Sequence, residues 1–124
     1  MRKILAAITL LAGLSASAQM PKIQKAVIKT PYAQCEEAKT IIEKIAPQYL
    51  DGLVKINVNF HSKQTQVSWY PDRTNIEEIK TAIANAGFDA DDVTANPDTY
   101  KKLPACCKKP EDGGPKPKTT TPQG

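Results

Sequence analysis

Residues 53–70, LVKINVNFHSKQTQVSWY, decide the fold. From Val54 to Phe60 apolar and polar residues alternate. Val54, Ile56, Val58 and Phe60 share one face and Lys55, Asn57 and Asn59 the other, which is the period of a half-buried strand. His61-Ser62-Lys63-Gln64 reads as a turn, and alternation resumes from Thr65 to Tyr70 through Val67 and Trp69. The stretch predicts a β-hairpin with one face turned to a core.

The period changes on both sides of the hairpin. Upstream, Ala38, Ile41, Ile42 and Ile45 recur at three and four residues, one face of a helix that begins near Cys35 and that Pro47 closes. Before it, residues 22–29 place Ile23, Val27 and Ile28 among lysines, a short strand ended by Thr30-Pro31. Downstream, Thr74-Asn75-Ile76-Glu77 has the pattern of a capping box. It opens a second helix with Ile76, Ile79, Ala82, Ile83 and Ala86 on its apolar face and Gly87 as its left-handed terminator. Phe88 to Thr94 reads as a weak, acidic last strand.

The order strand, helix, strand, strand, helix, strand predicts an α+β, ferredoxin-like βαββαβ sandwich, an antiparallel sheet with two helices on one face. Asn96-Pro97 can start one more helical turn reaching Leu103. From Lys108 the Lys, Pro, Gly and Thr composition buries too little apolar surface to order itself, so a largely disordered tail is expected over 95–124.

The first residues read as a secretory leader over 1–18: Arg2-Lys3, an apolar run from Ile4 to Leu14, then Ser15-Ala16-Ser17-Ala18. Cleavage after Ala18 leaves Gln19 first, with an exported, periplasmic or secreted product. The apolar run is shorter than the roughly 20 residues of a spanning helix, and no cysteine follows the cleavage point to take a lipid. No membrane anchor is expected.

The chain holds 17 Lys and Arg against 13 Asp and Glu, and losing Arg2 and Lys3 with the leader halves its formal excess of +4. What remains lies in the tail, where Lys101, Lys102, Lys108, Lys109, Lys116 and Lys118 face only Glu111 and Asp112. No basic stripe or aromatic platform suits nucleic acid. Glu36 and Glu37 are adjacent at a helix start and so do not face each other as a catalytic pair. Asp89, Asp91 and Asp92 lack the ligand spacing of a calcium loop. One histidine and no assignable base leave no arrangement for nucleophilic catalysis, and no enzyme activity is expected.

Three cysteines cannot all pair within one monomer, so at least one is free, metallated or intermolecular. The element order, a cysteine between first strand and first helix, and the Ala86-Gly87-Phe88 step resemble the heavy-metal-associated domain of copper chaperones and of the periplasmic mercury-binding protein. The resemblance covers roughly residues 22–94. It implies a Cys-x-x-Cys loop that binds a soft ion such as Cu(I), Hg(II) or Zn(II). The first cysteine falls on Cys35, which keeps Ile42 and Ile45 on the buried helix face; the second position falls on Ala38, and Tyr32-Ala33 stand where the family has Gly-Met.

A cysteine at a helix start is stabilised as thiolate by unpaired amides and the helix dipole. One thiolate binds a soft ion weakly, and Cys106 and Cys107 are the remaining candidates. The 14 residues from Asp92 to Cys106 span up to roughly 46 Å, against roughly 20 Å for a strand, so the tail can return to the loop. The expectation is a composite site in which Cys35 and one or both of Cys106 and Cys107 hold one soft ion, Cu(I) foremost and Zn(II) or Hg(II) otherwise, with His61 as an added nitrogen ligand. Such a protein would bind or hand over metal, with a metal-donor or metal-acceptor protein as partner, as a monomer or a Cys-bridged dimer.

The alternatives are a metal-free module of the same fold with Cys35 disulfide-bonded to Cys106 or Cys107, an inert buried Cys35, and thiol redox activity. Closing such a loop stabilises by roughly 4 kcal/mol in the chain-entropy model, whereas an adjacent Cys106–Cys107 bridge strains the backbone.

Overall fold

The computed structural model describes residues 22–116; the leader expected over 1–18 and the chain from 117 onward lie outside them. The predicted hairpin forms from β2 (Leu53–Asn59) and β3 (Gln64–Trp69), and β1 (Gln24–Lys29) pairs antiparallel with β3 to give the sheet order β1-β3-β2. The helices α1 (Glu36–Ile45) and α2 (Ile76–Asn85) supply the second layer. Ile28, Val58 and Val67 of the sheet meet Ile42, Ile79 and Ile83 of the helices around Phe88. Each such side chain contributes about 1.5–3 kcal/mol by leaving water.

Two inward positions differ from simple alternation. A register shift between Leu53 and Lys55 turns Leu53 to the core and leaves Val54 43% exposed. In β1, Ala26 and Ile28 face inward while Val27 faces out.

Helix starts follow local chemistry. The cap of α2 is Asn75, one residue later than the capping box predicts: its Oδ1 accepts from Glu78 N–H at 2.9 Å, and the Thr74 hydroxyl donates to the Glu78 carboxylate at 2.8 Å. Gly87 takes φ +107°, ending α2 as predicted. The short helix α3 (Pro97–Lys101) starts at Asn96, whose side chain accepts from Asp98 and Thr99 N–H.

The last predicted strand does not form as a strand. Ala90 and Val93 exchange backbone hydrogen bonds across a tight turn, with Asp91 at φ +53°, and Asp89 accepts from Ala95 N–H. Aspartates favour such turns over a ladder, because their carboxylates satisfy nearby amides. Among the described residues its hydrogen bonding with β1 is confined to Lys29 and Asp91, and Lys80 of α2 holds Asp91 and Asp92 at 3.6 and 3.1 Å. Order also extends further along the tail than composition implies. After α3, 3₁₀ turns at Ala105–Cys107 and Pro110–Asp112 lie against the domain. Among the described residues no helix is long and apolar enough to cross a membrane.

Candidate metal centre

The loop from Thr30 to Cys35 leaves the end of β1 and delivers Cys35 to the N-cap of α1, with extended backbone at φ −149° and ψ 166°. Two backbone bonds fix this position: the Cys35 carbonyl accepts from Ala38 N–H at 3.0 Å and from Lys39 N–H at 3.3 Å. Beneath the loop, the buried hydroxyls of Thr30 and Thr65 pair at 3.0 Å. Ala38, where the resemblance places a second cysteine, is buried in the core and offers no ligand.

The tail supplies the other sulfurs. Leu103 packs over Gly87, 3.1 Å from where a Cβ would sit, so the same glycine that ends α2 also makes room for the returning chain. Gln34 Nε2 donates to the carbonyls of Cys106 and Lys108 at 3.4 and 3.3 Å. The Tyr100 hydroxyl accepts from Lys109 N–H at 2.8 Å and donates to the Asp112 carboxylate at 2.7 Å. The Lys109 ammonium lies 3.6 Å from Asp89 and over the Tyr32 ring. Composition alone hides these anchors, because each is a single residue whose partner is remote in sequence. Only Asn96-Pro97 signals that the chain folds back.

Cys35, Cys106 and Cys107 meet with all three Sγ atoms within 4.8 Å of one another. Cys35 and Cys106, 71 residues apart, are joined in a disulfide. Cys107 is the free cysteine, fully buried, with its Sγ 3.6 Å from Cys35 Sγ and 3.9 Å from Cys106 Sγ. Burial pushes its pKa up to about 11, with the nearby Glu37 carboxylate adding to the effect. Glu37 Oε1 also lies 3.5 Å from Cys106 Sγ at the exposed side of the cluster. The structure therefore does not show Cys35 as a reactive thiolate: the helix start that would stabilise the anion instead presents the sulfur to Cys106. His61 is not brought to the sulfurs. It lies exposed on the β2–β3 turn with its ring against Phe60, centroids 4.4 Å apart.

The donor set suits a soft ion. Three thiolates, each about 2.3 Å from one central ion, stand roughly 4 Å apart; Cys107 already lies 3.6 and 3.9 Å from the other two sulfurs, and the Cys35–Cys106 pair reaches such a spacing only once its bond is opened. Opening one sulfur–sulfur bond would leave three thiols around a common point, on backbone that already holds them there.

No family model matches the chain. Solved structures share its fold. The oxidised form of MerP from Ralstonia metallidurans CH34 aligns with a TM-score of 0.51 at 23% identity, covering 56% of this chain and 94% of that one. The copper-binding domain from HMA7, a P-type ATPase, aligns with a TM-score of 0.50 at 25% identity over 54% of this chain and 89% of its own. The N-terminal domain of a potential copper-translocating P-type ATPase from Bacillus subtilis, in the Cu(I)-loaded state, aligns with a TM-score of 0.51 at 21% identity, over 56% of this chain and 86% of that one. A copper-exporting P-type ATPase of Staphylococcus aureus (strain Newman) is 32% identical over 56 residues, 45% of this chain. The aligned stretch spans 7% of that protein's length. The fold is the ferredoxin-like fold of the heavy-metal-associated domain, as the resemblance implied.

Proposed function

We propose that the reduced protein binds one soft ion, Cu(I) foremost and Zn(II) or Hg(II) otherwise, through Cys35, Cys106 and Cys107, and passes it to or takes it from a partner protein. The observation that carries this reading is the convergence of three sulfurs from two distant segments within 4.8 Å. Copper binding by proteins of the same fold supports it. The role is binding and transfer, not catalysis.

Metal uptake first requires a thiol reductant. Two electrons and two protons convert the Cys35–Cys106 disulfide into two thiols, and the ion then displaces protons from the sulfurs. Cys106 and Cys35 are part-exposed and Cys107 is buried, so a partner's thiolate would approach from the Cys106 side. We assign the protein to an oxidising compartment outside the cytoplasm, after cleavage near Ala18. The leader-like first residues support that placement, as does a disulfide, which persists there. With two cysteines bonded and the third buried, no thiol is presented for bridging a second copy, which favours a monomer.

The disulfide itself favours a second reading, a metal-free module of the same fold in which the bond only ties the tail to the domain. Titration of the protein with Cu(I) against a competing chelator under anaerobic conditions separates the two. Metal binding predicts one Cu(I) per chain after reduction and far weaker binding while the disulfide is intact. A reduced protein that fails to compete for Cu(I) leaves the structural module.

A further inference from the structure

One edge of the sheet has unused pairing capacity. Thr30 N–H donates to the Lys63 carbonyl at 3.0 Å, and antiparallel ladders alternate; Ile28 and Ala26 therefore also turn their backbone groups to β3, while Lys29, Val27 and Lys25 turn theirs away. At Lys29 both outward groups are taken: its N–H donates to the Asp91 carboxylate and its carbonyl accepts from Asp91 N–H, each at 2.8 Å. Beyond Asp91 the chain leaves the edge through the Ala90–Val93 turn, so no strand lies beside Val27 and Lys25 among the described residues. Val27 is 52% exposed, and Ile23, four residues earlier, is 43% exposed. β1, β2 and β3 carry Lys25, Lys29 and Lys55 and no carboxylate.

We propose that this edge takes an extended acidic segment of a partner protein as an added strand. The outward N–H and carbonyl groups of Val27 and Lys25 supply the ladder, Val27 supplies an apolar contact to the residue opposite it, and Lys25 and Lys29, two residues to either side on the same face, select the carboxylates that flank that residue. A second copy suits the edge less well, because two β1 strands side by side would gather both sets of lysines in one sheet.

The test is amide hydrogen exchange by NMR on the folded protein, with the synthetic peptide acetyl-Thr-Glu-Thr-Val-Thr-Glu-Thr-amide and a control with lysine for glutamate. The expected result is that the acidic peptide slows exchange at the Lys25 and Val27 amides by roughly tenfold or more at saturation. The control should not, and Lys25→Glu should abolish the effect without unfolding the protein. The proposal is overturned by unchanged exchange at both amides or by perturbation confined to the helices. It is equally overturned if both amides are already protected in the free protein at every concentration, which means the chain covers its own edge. Protection that grows with protein concentration alongside a dimer mass would assign the edge to a second copy instead.

Discussion

The Sγ of buried Cys107 lies 3.6 Å from that of Cys35, 72 residues earlier, although Cys35 is bonded to the neighbouring Cys106. A 3₁₀ turn at Ala105–Cys107 sets both tail sulfurs toward the start of α1, so either can face Cys35 without a strained bridge between adjacent cysteines.

Burial makes Cys107 a sluggish thiol. Its pKa rises from an ordinary 9.0 to about 11, so the folded state holds the proton more tightly than the unfolded chain does. The contribution to stability is complete below pH 9.0 and is lost as pH climbs through about 11. Iodoacetamide at pH 8 should modify Cys107 far more slowly in the native oxidised protein than in urea. Thermal unfolding of the parent should weaken between pH 8 and 11 more than that of Cys107→Ala.

The disulfide closes most of the domain into one loop. Its removal by reduction, or by Cys106→Ala, should lower stability by about 4 kcal/mol in the chain-entropy model. Urea unfolding with and without a dithiol checks this, and an unchanged midpoint would contradict the chain-entropy account of this disulfide.

Gly87 serves both α2 and the tail. Gly87→Ala places a side chain at φ +107° and 3.1 Å from Leu103, which should cost about 1–2 kcal/mol from the backbone alone and displace the tail segment that carries the two cysteines. Both the thermal midpoint and the rate of disulfide formation after reduction should fall. Loss of stability with no change in that rate would separate Gly87 from the site.

Tyr100→Phe removes one hydroxyl that serves Lys109 and Asp112. A stability loss of about 1 kcal/mol is expected, concentrated in the tail. Faster tryptic cleavage after Lys108, with the domain intact, is the sign to look for.

Most of the domain was legible because its periods are clean. The 53–70 hairpin, the Ile42 face of α1, the Ile79–Ile83 face of α2 and the Gly87 stop all follow from apolar spacing and one backbone requirement. The 88–94 segment was not legible as a turn. Its apolar ends at Phe88 and Val93 read as a strand, while Asp89 satisfies the Ala95 amide locally and Asp91 takes the Lys29 amide with its side chain, so the chain bends away instead of laddering. In the near part of the tail the turn started by Asn96-Pro97 was legible, but not what docks it. Order there comes from Leu103 on Gly87, Gln34 on two carbonyls and Tyr100 on Lys109, long-range pairings that no local window contains. The meeting of Cys35 with Cys106 and Cys107 was legible as reach, but not which pair would bond. That choice depends on how the 3₁₀ turn rotates two adjacent side chains.

X-ray absorption at the copper edge, on reduced protein carrying one Cu(I), tests the composite site most directly. Three sulfur neighbours at about 2.3 Å in the parent, falling to two in Cys107→Ser, are the predicted result. Nitrogen or oxygen neighbours in the parent, or a spectrum unchanged when Cys106 and Cys107 are both serine, would contradict it.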